Sequence, residues 1–113
     1  MPALDGYPGA QGHKIESVIE VLGLNPYVVI TAGSPPTGGQ PITAATFGLK
    51  AIDFCEASGS DDGTYDIRVF YPNGSSAKAS PRVILQWITA ATGVEIGAIN
   101  VSGRTIRLRA VGN

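Results

Sequence analysis

After residue 40 the chain is a succession of short β-type segments separated by turns rich in Gly, Asn and Asp. Apolar and polar side chains largely alternate over residues 64–71, and residues 83–89 are apolar around Gln86. Turn residues recur about every 8–12 positions, which is typical of a β-sandwich or small barrel. A strand that is apolar on both faces, such as 83–89, is expected at the centre of a sheet or beneath an interface.

The other segments extend this pattern into an all-β prediction. We expect strands at residues 27–31 and 47–56, and a strand or short helix at residues 41–46. Residues 94–111 predict a closing hairpin, because two β-type runs flank the turn dipeptide Ser102-Gly103. The sequence therefore predicts a β-sandwich or small jelly-roll-like barrel of seven or eight strands.

The N-terminal residues differ from the rest of the chain. Residues 1–12 contain three Gly and two Pro, which favour neither helix nor strand, so we expect an extended arm followed by a single β domain at residues 13–113. Residues 13–22 fit a strand or an amphipathic helix, and their β-branched content favours the strand. We find no signal-peptide pattern and no apolar stretch long enough to span a membrane.

The composition limits the partners that the chain can bind. Charged residues are only 15% of the 113 residues, against a usual share of about 25%. Such a surface fits a β domain with many turns or a subunit that hides part of its surface against partners. The net charge of −1 provides no basic field for non-specific nucleic-acid binding.

One local concentration of positive charge lies near the C-terminus, at Arg104, Arg107 and Arg109. Strand alternation places Arg107 and Arg109 with Thr105 on one face, opposite an apolar face. One interpretation is a solvated outer face. The other is a contact with an acidic partner such as a neighbouring subunit.

The residues needed for catalysis or metal binding are scarce. His13 is the only histidine and Cys55 the only cysteine, so the sequence indicates neither a set of zinc ligands nor a catalytic triad of the Ser-His-Asp or Cys-His type. We predict a non-enzymatic protein without a cofactor or metal. Cys55 cannot form an intramolecular disulfide, and we expect it to be buried. Asp61-Asp62-Gly63 predicts a turn, with a cation site or a partner contact as the alternatives.

The aromatic residues have two interpretations. Trp87 lies among apolar neighbours, which favours a place in the core. Exposed together with Tyr65 and Tyr71, it could instead form a platform for sugars. Tyr7 and Tyr27 are expected to be the more exposed aromatic side chains.

In overall character the chain resembles the small accessory proteins of tailed-phage virions. The features that carry this resemblance are the Pro/Gly-rich arm at 1–12, the low-charge β domain, the Gly-Ser-Pro-Pro-Thr-Gly-Gly loop at 33–39 and the closing hairpin. The resemblance implies a capsid decoration (cement) protein or a comparable virion component, made in the host cytoplasm. Such proteins bind shell subunits through arms and sheet edges, often as trimers.

The resemblance implies protein partners, namely copies of the chain itself and a capsid or other virion protein. We expect a homo-oligomer, with no nucleic acid and no membrane among its partners. The predicted interface residues are Leu4, Tyr7 and Pro8 in the arm and Arg107 and Arg109 in the last strand. The alternative is a carbohydrate-binding β-sandwich module of an adhesion or receptor-binding assembly.

Overall fold

A computed structural model describes residues 14–31, 33, 36–72 and 80–113. This part of the chain contains seven strands and one short 3-10 helix, Ala44–Phe47. The strands are β1 (Ile15–Leu22), β2 (Gln40–Thr43), β3 (Ile52–Ala57), β4 (Tyr65–Phe70), β5 (Arg82–Thr89), β6 (Val94–Glu95) and β7 (Thr105–Gly112). The all-β prediction is confirmed, while the predicted arm at residues 1–12 lies outside the described residues.

The strands form two antiparallel sheets that pack together as a sandwich. β7 lies between β1 and β3 in a three-stranded sheet, and β5 lies between β2 and β4 in the second sheet. β6 pairs with the last residues of β5. β5 is central in its sheet, and its outward-facing Ile84 is also buried, because the loop at Ile30 and Gly39 lies against it.

Alternate residues of the two central strands fill the space between the sheets. Trp87 has no exposed surface, so its predicted place in the core is confirmed. Its indole N–H donates to the buried Gln40 Oε1 at 2.8 Å, which satisfies the polar atom that burial would otherwise leave unpaired. The inward residues of the two central strands are Val83, Leu85, Trp87, Ile106, Leu108 and Ala110.

The ambiguous segment at residues 13–22 contains a strand. β1 pairs with β7 along its whole length, from Ile15 opposite Gly112 to Leu22 opposite Thr105. Ser17 and Ile19 are half-buried toward the core, while Glu16 and Val18 are exposed on the other face. The β-branched content therefore predicts this element correctly, and tertiary pairing supplies the hydrogen bonds.

The predicted hairpin over residues 94–111 is wrong. The turn at Ser102-Gly103 is present, closed by the Arg104 N–H donating to the Val101 carbonyl at 3.0 Å. The segments on either side of it do not pair, because β1 and β3 occupy both edges of β7. Residues 94–101 instead lead from the second sheet to the first.

The predicted strand at residues 27–31 is also wrong. Tyr27 is fully buried rather than exposed, and the main-chain hydrogen bonds of this segment go to irregular partners such as Ile99 and Gly39. Thr31 forms only an isolated bridge with Thr37. The β-type composition of this segment therefore anchors a loop into the core.

The segments at residues 41–46 and 47–56 are shorter as strands than predicted. Residues 41–46 contain both of the predicted alternatives, since strand β2 is followed directly by the 3-10 helix. Gly48 ends that helix with a positive φ of 76°, and the chain turns before β3 begins at Ile52. Phe47 and Leu49 are buried in this turn, which is why their apolar character does not indicate a strand.

Candidate protein-binding surface

The face of the three-stranded sheet that points away from the core combines charged and apolar side chains. We call it the outer sheet face. Strand alternation exposes these residues because their neighbours in sequence point into the core. The outer sheet face consists of Glu16, Val18, Glu20 and Leu22 from β1, Arg107, Arg109 and Val111 from β7, and Phe54 and Glu56 from β3.

The predicted interface residues Arg107 and Arg109 lie at the centre of this face. Arg107 Nη2 donates to Glu20 Oε2 at 3.0 Å. Arg109 forms ion pairs with Glu16 and Glu56, and its guanidinium carbon lies 5.9 Å from the centroid of the Phe54 ring. Both arginines therefore already have acidic partners within their own sheet.

Hydrogen bonding to Glu16 raises the pKa of the Arg109 guanidinium above its usual value, and Glu56 adds to this effect. Arg109 is consequently charged at every pH of interest. The arginine pair provides no excess positive charge, since Glu16, Glu20 and Glu56 outnumber it. An acidic partner that binds here must share these arginines with the glutamates of the sheet.

A shallow surface cavity of about 370 Å³ lies along the β7–β3 side of this face. Val18 and Arg109 form part of its wall, together with Ser58 after the end of β3. The Ser58 hydroxyl accepts a hydrogen bond from the Arg107 main-chain N–H at 3.0 Å, which continues the sheet past the last residue of β3. The cavity can take a side chain or a short segment of another protein.

Exposed apolar residues distinguish β1 from the other strands. Ile15, Val18 and Leu22 are 49%, 57% and 60% exposed, and Phe54 adds a fourth large apolar side chain from the same sheet. Val18 and Leu22 alternate with Glu16 and Glu20 on the same face of the strand. This apolar–acidic alternation is the signal that could have identified β1 as part of a binding surface.

The arm residues of the predicted interface, Leu4, Tyr7 and Pro8, lie outside the described residues, as does His13. Their roles stay predictions. Of the predicted interface residues, the structure describes Arg107 and Arg109. Both lie on the outer sheet face, beside strand β1.

Cys55 is buried, as expected. Burial, and then the nearby Glu56 carboxylate, raise the pKa of its thiol to about 12, which leaves it an unreactive thiol. Within the described ranges, no group of three or more His, Cys, Asp or Glu side chains could hold a metal ion.

The Asp61-Asp62-Gly63 segment forms the predicted turn. Asp62 accepts hydrogen bonds from the Thr64 N–H at 3.1 Å and the Ser60 hydroxyl at 2.8 Å. Its carboxylate also contacts Arg104 Nε at 3.1 Å. These bonds lower the pKa of Asp62 to about 2, the Thr64 main-chain bond contributing most. The carboxylate is therefore committed to the turn.

A second cavity, of about 260 Å³, lies beside this turn. Tyr65, Asn100 and Arg104 contribute to its lining. The Tyr65 ring is half-buried and packs edge-on against Trp87, with a centroid separation of 5.6 Å. The polar groups and the one aromatic ring that line this cavity are features that sugar-binding sites also have.

No known protein family, curated protein sequence or solved structure matches this chain. The fold places it in the class of two-sheet, all-β proteins. Among the described residues, no helix is both long enough and apolar enough to cross a membrane.

Proposed function

We propose that this chain is a non-enzymatic structural protein that assembles with copies of itself and with another virion protein. A capsid decoration protein is the form of this proposal that the sequence favours. The observation that carries it is the exposed apolar character of β1, an eight-residue strand at the edge of its sheet. An unpaired edge strand of this length offers a row of main-chain groups with which a strand of another chain can pair.

The outer sheet face supports the same proposal. It has apolar side chains spaced among paired charges, as in the rim and core of many protein–protein interfaces. The paired charges keep the uncombined protein soluble and restrict which partners fit. One observation weakens the resemblance to virion proteins, because residues 94–111 do not form the predicted closing hairpin. The low-charge β domain, on which the resemblance also rests, remains.

The predicted arm supplies the second part of the proposed mechanism. Residues 1–12 contain Leu4, Tyr7 and Pro8 as apolar contacts, and a segment that orders on a neighbour adds contact area at an entropic cost. Repetition over a lattice makes contacts that are weak singly strong together.

Light scattering on the full chain and on a chain lacking residues 1–12 tests this proposal. We expect a discrete oligomer for the full chain and a smaller species after the deletion. The double variant R107S/R109S tests the outer sheet face, and we expect it to give a smaller species as well. Exposed ion pairs contribute only about 0–1 kcal/mol to folding, so the variant should stay folded. An unchanged oligomer in all three proteins would contradict the proposal.

The alternative function, carbohydrate binding, is supported by the cavity beside Tyr65. The burial of Trp87 removes the larger aromatic platform that this alternative called for. Titration of the full chain with a panel of neutral and acidic sugars tests it, with Tyr65→Ala as the site variant. A monomer whose sugar binding is lost in Tyr65→Ala would favour this function over the structural one.

A further inference from the structure

We infer that two copies of this chain pair through the open edges of their β1 strands, antiparallel and in one register, to form a continuous six-stranded sheet. This inference rests on the proposed function in one respect, namely that the chain binds copies of itself. The main-chain geometry of β1 and the positions of its charged residues define the pairing.

The direction of the main-chain groups along β1 follows from the residue after it. The Gly23 N–H donates to the Arg104 carbonyl at 3.0 Å, so Gly23 faces β7. Because strand groups alternate in direction, the odd-numbered residues of β1 also face β7 and the even-numbered ones face away. The Leu22 carbonyl confirms this, since it accepts a hydrogen bond at 2.7 Å from Gln40 Nε2 on the far side.

Glu16, Val18 and Glu20 therefore direct their N–H and C=O groups to the open edge. No strand within the described part of the chain pairs with this edge. Unpaired edge groups of this kind form the template to which another strand adds.

A twofold axis between two antiparallel β1 strands permits three central registers, which place Ser17, Val18 or Ile19 opposite itself. The register centred on Val18 sets Glu16 directly opposite Glu20 of the second copy, twice, and like charges in this position are destabilising. The register centred on Ile19 needs the main-chain groups of Leu22, whose carbonyl is already bonded to Gln40.

The register centred on Ser17 has neither defect. It sets Lys14 opposite Glu20 of the second copy and Ile15 opposite Ile19 of the second copy. The first pair brings opposite charges together, while Lys14 keeps its present partner Asp53 and Glu20 keeps Arg107. The second pair covers Ile15, which is 49% exposed in the single chain. Four residue pairs would exchange about eight main-chain hydrogen bonds.

Disulfide trapping tests the register. Ser17 faces β7 with its main-chain groups, so Ser17 and its copy form a non-hydrogen-bonded pair with Cα atoms about 4.5 Å apart, which suits a disulfide. We expect S17C to oxidise to a covalent dimer at low protein concentration. V21C lies on the same strand and face but opposite no cysteine of the second copy, and should stay monomeric on a denaturing gel. Cys55 is buried and does not interfere.

Two more cysteine variants address the competing registers. A covalent dimer formed more readily by V18C or I19C than by S17C would overturn the Ser17-centred register. The absence of a covalent dimer in all of these variants would overturn β1 pairing itself.

A proline at the edge separates this inference from the proposed function. Val18→Pro removes an N–H that faces the open edge, which edge strands tolerate, whereas Val18→Thr keeps it. We expect V18P to lose the β1 contact and V18T to retain it, measured by light scattering with circular dichroism as the check on folding. If folded V18P keeps the same oligomer as the unaltered chain, the β1 inference fails while the proposed assembly function stands. A full chain that is monomeric at all concentrations would contradict both.

Discussion

At the scale of single residues, Tyr27 shows how one hydroxyl group completes a sheet. β2 and β6 both pair with the same edge of β5, and they leave a gap at Trp87. The Tyr27 hydroxyl fills it by accepting from the Trp87 N–H at 3.3 Å and donating to Glu95 Oε2 at 2.7 Å. Burial, and then the Glu95 hydrogen bond, raise the pKa of Tyr27 above its usual value.

Glu95 is the anionic partner in this arrangement. Burial alone would raise the pKa of its carboxyl group. Hydrogen bonds from the Ile30 N–H, the Tyr27 hydroxyl and the Gln86 side chain outweigh burial and lower it. The charged carboxylate thus holds the loop containing Ile30 against the second sheet.

The substitution Tyr27→Phe tests this role. It keeps the ring in the core, leaves the Trp87 N–H without a partner and removes one of the two hydrogen bonds that Glu95 Oε2 accepts, so we expect a loss of about 1–3 kcal/mol in the free energy of unfolding. Urea denaturation measures it. Tyr65→Phe is the control, because the Tyr65 hydroxyl makes no hydrogen bond to the described residues. Equal stability of the two variants would contradict the role of the Tyr27 hydroxyl.

The exposed and buried faces of β7 could be predicted from sequence, because alternation is a local property. Arg107 is exposed, while Ile106 and Leu108 are buried. The burial of Tyr27 could not be predicted, because its partners Trp87 and Glu95 lie 60 and 68 positions away. The ion pairs of Arg107 and Arg109 with glutamates of β1 and β3 are also non-local. Strand alternation therefore predicted that the two arginines are exposed, but it could not predict their partners.

At the scale of elements, strands were predicted well where the local pattern is distinctive, as in the alternating β4 and the largely apolar β5. Their pairing was predicted poorly. Residues 94–101 have the composition of a hairpin strand, but β7 has no free edge for them. Edge availability depends on β1 and β3, which are distant in sequence. The proposed role of β1 in pairing could not be predicted for the same reason, since the open edge of β1 follows only from the order of the strands in the sheet.

The turn between β3 and β4 has an electrostatic test at this scale. The pKa of Asp62 is lowered from 3.8 to about 2, so its stabilising contribution is complete above pH 3.8 and is lost as the pH falls toward 2. We expect Asp62→Asn to be less stable than the unaltered chain near neutral pH, with the difference shrinking through that window. Urea midpoints measured across the acidic range test this.

Asp61→Asn is the matched control for that experiment. Asp61 is adjacent and exposed, and its carboxylate accepts no hydrogen bond from the described residues. Its urea midpoints should follow those of the unaltered chain. A constant difference between D62N and the unaltered chain at every pH would show that the Asp62 charge has no part in the turn.

At the scale of the whole molecule, Cys55 reports on cooperative unfolding. Its side chain is 3% exposed, and burial followed by the Glu56 charge raises the pKa of the thiol to about 12. We expect a colorimetric thiol reagent to label it only as the sandwich opens, with a rate that rises with urea concentration. Lys50→Cys, at an exposed position, should be labelled at once. Rapid labelling of native Cys55 would indicate local opening of β3.

The two edges of the three-stranded sheet are unequal. On the β3 side, the Tyr71 hydroxyl accepts from the Cys55 N–H and donates to the Cys55 carbonyl, and Ser80 exchanges two main-chain hydrogen bonds with Ile52. These groups take the place that an added strand would need. The sheet therefore has one edge, that of β1, to which another strand can add. Growth through the edges of this sheet stops at two chains and cannot continue into a fibre. In the proposed assembly, any larger array would therefore use surfaces other than the edges of this sheet, such as the outer sheet face.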